Sequence, residues 1–98
     1  MQVTEDLISA AKMARRMTTT AFDSEVERLL SAALLDLGCA GVVLPEEATP
    51  LAEQAAITYF LCNFGQPDDY DRLKRSYDEQ KAQLRTRTGY TEWTEATS

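Results

Sequence analysis

The sequence predicts an all-α fold: a small four-helix bundle with a long C-terminal helical hairpin and an extended C-terminal tail. Three observations lead to it. Apolar residues between Val26 and Leu37 recur at helical spacing. The stretch from Pro50 to Gly89 reads as two helical arms joined at Gly65-Gln66-Pro67. No segment shows a convincing strand pattern of alternating apolar and polar residues. A chain of 98 residues, 44% hydrophobic and 27% charged, makes one globular domain. Residues 1–89 are assigned to that domain and 90–98 to the tail.

The first helix opens after Thr4, a natural N-cap, with Glu5 and Asp6 at the positive end of the helix dipole. Leu7, Ala11, Ala14 and Met17 mark its apolar face, and Arg15 and Arg16 sit where cations are favoured. Met17 to Ala21 is a threonine-rich break. Asp23 or Ser24 caps the second helix, where Val26, Leu29, Leu30, Ala33, Leu34 and Leu37 share one face and Gly38 is expected to stop it. Cys39 to Thr49 is a loop whose Val42, Val43 and Leu44 tuck against the bundle. Pro50 starts the third helix, where its missing N–H costs nothing, and Gly65 ends it. Asp68 caps the last helix, expected to run to about Thr88-Gly89. So short a connection makes the last two helices antiparallel neighbours.

The two arms of the hairpin differ sharply. The third helix is apolar almost all the way round, whereas the last is charged, with a thin stripe of Tyr70, Leu73, Tyr77 and Leu84. A helix apolar on every side must be covered on every side. In so short a chain, part of that cover is expected from another copy. Ile57, Tyr59, Phe60 and Phe64 on one arm, with Tyr70 and Tyr77 on the other, are the candidate subunit-interface residues.

Charge and motif content narrow the function. The net charge of −6 argues against general nucleic-acid binding by the whole molecule. Residues 1–49 carry four bases against eight acids, and 50–98 carry six against eight. The later bases cluster from Arg72 to Arg87, either as a solvated helix face partnered by Asp78 and Glu79 or as a surface for an acidic partner. With no histidine and with Cys39 and Cys62 far apart, neither zinc ligation nor a nucleophilic cysteine is expected. The pairs Glu46-Glu47 and Asp68-Asp69 are explained by solvation and the helix dipole, and no phosphate cradle or hydrolase motif occurs. The expectation is a protein that is not an enzyme and uses no cofactor or metal. The N-terminus lacks a signal-peptide pattern and no segment has the ~18 apolar residues of a membrane span, so a soluble, intracellularly made chain is expected. A helix-turn-helix is disfavoured, since eleven residues separate the second and third helices and the third has no Arg, Lys or Asn before Asn63. The tail carries Tyr90 and the sole tryptophan, Trp93, either a frayed end folded back on its own helix or an anchor that docks elsewhere.

Residues 22–87 resemble the small head–tail connector (adaptor) proteins of tailed phages, the DNA-packaging group labelled by a QLRG signature. The matching features are FDSEVERLLSAALLDLG, a proline-started alanine-rich helix ending in YFLCNFG, an aspartate-rich turn and the run YDRLKRSYDEQKAQLR. The signature here reads Gln83-Leu84-Arg85-Thr86, without its final glycine. The resemblance implies a structural subunit that forms a ring, usually of twelve, beneath the portal vertex, extending the DNA channel. It would meet the portal protein on one side and a stopper or tail-completion protein on the other, with double-stranded DNA passing unread. It implies a place at the virion head–tail junction after assembly in the host bacterial cytoplasm. Carried over by position, Arg85, Arg87, Tyr90 and Trp93 become candidate portal-docking residues. Two other readings stand beside it: a helical regulatory module binding a protein through its last helix, and a DNA-packaging accessory using Arg72, Lys74, Arg75 and Lys81.

Overall fold

The computed structural model describes residues 1–44, 49–65 and 68–86. Among them lie four helices: α1 (Glu5–Arg15), α2 (Asp23–Cys39), α3 (Pro50–Asn63) and α4 (Tyr70–Thr86). The all-α bundle and its order of elements are as the sequence predicts.

Thr4 caps α1, its Oγ1 accepting from the Leu7 N–H at 3.1 Å. The helix closes on Arg16, held in the left-handed region at φ 60°, with Met17 N–H reaching back to the Lys12 carbonyl at 2.8 Å. Leu7 and Ala11 are buried, but Ala14 is exposed and Met17 only half-buried, so the packed face is narrower than expected and includes Ile8.

Two expectations about α2 are corrected. Phe22 holds the cap position without a side-chain hydrogen bond, and Asp23 is the first helical residue. The Asp23 carboxylate pairs with Lys12 of α1 at 2.8 Å, so it ties two helices together instead of capping one. Nor does Gly38 stop the helix, which runs on to Cys39. The turn comes at Gly41, φ 96°, where Gly41 N–H bonds the Gly38 carbonyl at 3.1 Å and Val42 N–H bonds that of Leu37 at 3.0 Å. Val42 and Leu37 pack in one buried cluster, the apolar contact that accompanies this termination. The predicted face holds, with Val26, Leu30, Ala33 and Leu37 buried.

Thr49 caps α3 and Pro50 occupies its first turn. This helix is the spine. Its Ala56 and Phe60 join Leu7 and Ala11 of α1 and Val26, Leu30 and Ala33 of α2 in one half of the core. Its Ala55 joins Leu37, Val42 and the α4 residues Tyr77 and Leu84 in the other. Tyr59 packs against both halves. Ala52, Ala55 and Ala56 are fully buried, and their small side chains let three helices approach α3 closely. Leu51 lies beside Leu84, Tyr59 meets Tyr77, and Asn63 shares a cleft with Tyr70, so α3 and α4 are antiparallel.

The apolar α3 is therefore covered from within the chain, against the expectation that part of the cover comes from another copy. Only Pro50, Leu51, Gln54 and Asn63 of this helix are exposed. Phe60 (0% exposed) and Tyr77 (3%) are core residues of the single chain and offer no surface to another copy. Ile57, Tyr59 and Phe64 are half-buried, and of the six candidate interface residues Tyr70 alone is exposed.

The last helix begins at Tyr70, two residues after the expected Asp68 cap. The Asp69 carbonyl takes the first intrahelical bond, from Leu73 N–H at 3.0 Å, and the Asp69 carboxylate pairs with Arg72. Of the predicted stripe, Tyr77 and Leu84 are buried, Leu73 is half-buried and Tyr70 is exposed. The predicted end at Thr88-Gly89 lies outside the described residues.

Candidate functional site

The C-terminal end of α4 brings together what is described of the predicted docking segment. Leu84 is 2% exposed and anchors the helix on α3, whereas Gln83 and Arg85 on either side of it face solvent. The Gln83-Leu84-Arg85 run is thus split between one inward anchor and two outward polar groups. Beside it, Leu51, Gln54, Gln80, Gln83 and Leu84 line a groove of about 180 Å³. Arg87, Tyr90 and Trp93 lie outside the described residues, as does the Glu46-Glu47 pair.

One polar cluster escaped the sequence reading. Tyr77 donates its hydroxyl to Asp36 Oδ2 at 2.5 Å, and Lys81 Nζ donates to the same oxygen at 3.1 Å. Lys81 also lies over the Tyr77 ring, 5.0 Å from its centroid, while Tyr59 packs edge-on against that ring at 5.3 Å. The Tyr77 hydrogen bond and the Lys81 charge hold the Asp36 carboxyl below its ordinary range, outweighing the opposing effect of burial. Burial and the Asp36 carboxylate push the Tyr77 phenol well above its own. The cluster ties α2 to α4 across the edge of α3. Asp36 and Tyr77 stand 41 residues apart. No local spacing announces such a pair; the signal available was a tyrosine in a core stripe, which when buried needs a partner for its hydroxyl.

A cleft of about 150 Å³ adjoins this cluster, lined by Asp36, Tyr59, Cys62, Asn63, Tyr70, Lys74, Tyr77 and Lys81. Its cations are already engaged, Lys81 by Asp36 and Lys74 by Asp78 at 2.8 Å. Burial pushes the Cys62 thiol above its ordinary pKa, which disfavours the thiolate a nucleophile requires. Cys39 is exposed and free.

The basic stripe of α4 is largely neutralised within the fold. Arg72 pairs with Asp69, Lys74 with Asp78 and Lys81 with Asp36. Among the described residues, Arg75 and Arg85 are exposed and have no ion-pair partner. At the opposite end of the bundle, Phe22 stacks edge-on against Phe64 at 5.8 Å, and Arg15 covers the Phe64 ring at 5.7 Å. Among the described residues, Met13 (78% exposed) and Leu35 (71%) are the most open large apolar side chains.

Among the described residues, no three His, Cys, Asp or Glu side chains gather as a metal-binding group requires. None of the described helices is long and apolar enough to cross a membrane. The end of α4 combines an inward anchor at Leu84, outward polar groups at Gln83 and Arg85, and an open groove beside them. In comparisons with protein-family models, curated proteins and solved structures, nothing matches this chain.

Proposed function

We propose that the chain is a structural subunit of the head–tail junction of a tailed phage or prophage, joining head to tail as a ring without catalytic chemistry of its own. The observation that carries this reading is the split of Gln83-Leu84-Arg85. Its leucine is packed on α3 while its glutamine and arginine are exposed in the last turn of α4. The run of elements behind the family resemblance, a long helix, a proline-started apolar helix and a charged helix, supports it from the sequence. Contact between copies then falls to apolar side chains left open by the single chain, Met13, Leu35 and Tyr70, and not to Phe60 or Tyr77. A ring built this way joins one face of each subunit to a different face of the next. The reading also assigns portal docking to Arg85, Arg87, Tyr90 and Trp93, and passage of DNA past the ring without base recognition.

Native mass spectrometry and negative-stain imaging of the chain, alone and mixed with the portal protein of the same phage or prophage, test the reading. A ring in either sample is the expected result, and none in both overturns it. Trp93→Ala should weaken portal docking while the helical content is kept. The alternative of a DNA-packaging accessory is disfavoured, since three of its four proposed phosphate contacts are held by carboxylates of the same chain. It requires salt-sensitive DNA binding, measurable by gel shift at two salt concentrations.

A further inference from the structure

Among the described residues, the exposed large apolar side chains are scattered: Met13 on α1, Phe22 before α2, Leu35 on α2, Leu51 on α3 and Tyr70 on α4. No helix presents two of them, whereas a stable interface buries roughly 1,200–2,000 Å² in all. An assembly of this chain needs more apolar surface than the closed subunit shows. The element able to supply it is α1. Its Leu7 and Ala11 sit in a seat made by Val26, Leu30 and Ala33 of α2 with Ala56 and Phe60 of α3. The other outer helix, α4, is held on α3 and also locked to α2 through Tyr77, Lys81 and Asp36. Across the join from α1 to α2 the tie is one ion pair, Lys12 to Asp23 at 2.8 Å. The segment 16–22 that makes this join packs only at its ends, through Met17 and Phe22. Thr18 to Ala21 are exposed, and the hydrogen bonds there are local, Ala21 N–H to Thr19 Oγ1 and Asp23 N–H to the Thr20 carbonyl. Arg16, at its start, is the sole residue other than glycine at positive φ among the described residues, a conformation that L side chains disfavour. Straightening the segment would release that strain.

We propose that copies of this chain associate by exchanging α1, each placing it in the seat on α2 and α3 of the next. The inference rests on the assembly reading and says how its subunits are joined. Every contact of the closed chain is remade between copies. Leu7 and Ala11 enter an identical apolar seat, and Lys12 meets Asp23 of the next copy. The exchange therefore needs no apolar face beyond those the closed subunit already buries. Seven extended residues reach up to roughly 25 Å, more than the ~16 Å length of α1 itself, so the helix can cross to a neighbour standing alongside. Each copy gives α1 on one side and receives another on a different side, the heterologous arrangement that closes into a ring. The isolated subunit keeps α1 on its own seat, because the effective concentration of a tethered helix is high when no neighbour is near.

The Lys12–Asp23 pair reports the exchange directly. A carbodiimide joins the lysine amine to the carboxylate as an amide, and trypsin then cuts at Arg15 and Arg16, between the two joined residues. Rings are assembled from an equal mixture of unlabelled and heavy-nitrogen full-length chains, alone and with the portal protein, then cross-linked and digested. Mass spectrometry should find one light and one heavy peptide in about half of the joined pairs from rings, as random neighbours require. Monomer from the same mixture should give unmixed pairs alone. Rings that give only unmixed pairs would overturn the exchange and leave the assembly reading standing, whereas no ring in either sample overturns both. A second variant tests the hinge. Arg16→Gly removes the strain of the closed form, so the concentration for half-assembly should rise roughly 5–30-fold while helical content is kept. An unchanged or lower concentration would count against the exchange.

Discussion

Tyr77 shows how one side chain serves both packing and polar satisfaction. Its ring lies in the second half of the core, and its hydroxyl meets Asp36 on a helix distant in sequence. Removing the hydroxyl in Tyr77→Phe loses a hydrogen bond to a charged acceptor, of order 1.5–3 kcal/mol when fully buried. Asp36 is 39% exposed, so water recovers part of that loss. The expected cost is about 1 kcal/mol, a fall in Tm of roughly 4–8 °C for a domain of this size. The pH signs follow from the two shifts. Asp36 is held below the ordinary carboxylate value, so its contribution is complete above about pH 4 and fades as pH falls through the folded pKa. Tyr77 is raised, so its contribution is complete below about pH 10 and fades as pH climbs above that value. Thermal melts of the unsubstituted and Tyr77→Phe chains across pH should converge at both extremes. A difference that stays constant from acid to alkali would refute the coupling.

Among the elements, the end of α2 is the sharpest lesson. Gly38 and Gly41 are both suited to stop a helix, and periodicity ends at Leu37, which favoured the nearer one. The structure uses the farther, because only that choice lets Val42 fold back onto Leu37. Two substitutions separate these roles. A Cβ at Gly38 meets nothing within 4 Å, so Gly38→Ala should stabilise by about 0.5–1 kcal/mol through helix propensity. At Gly41, φ 96° opposes any side chain, and Gly41→Ala should cost about 1–2 kcal/mol. Urea denaturation midpoints moving in opposite directions are the expected outcome. The helices themselves were legible because caps, prolines and apolar spacing are local signals: Thr4, Pro50 and the Val26–Leu37 face are used as read. The Asp23–Lys12 and Asp36–Tyr77 contacts were not, since each depends on which helices meet and at what depth. For the candidate site, sequence marked Arg85 and the QLR run, but the inward turn of Leu84 and the groove beside it arise from packing on α3.

The whole molecule answers the question raised by an apolar α3 in a short chain. Composition shows that the helix needs cover but not who supplies it. Three alanines settle this by letting α1, α2 and α4 close in on their own spine. Cover for α3 then comes from within the single chain. Its Tm should be independent of protein concentration over two decades, measured by circular dichroism or scanning calorimetry. A marked rise with concentration would show that association contributes to the fold itself.

The central place of α3 also bears on how the bundle opens. The core half that α1 helps to build contains no α4 residue, and the half that α4 helps to build contains no α1 residue. Either outer helix can lift away at a fraction of the global free energy while the other stays seated, but neither can leave α3 without exposing it. Amide protons should therefore exchange in a ranked order, with those of α3 surviving longest and those of α1 and α4 released in separate, uncorrelated events. A partner that captures one end of this molecule would meet a flank free to yield, mounted on a spine that is not.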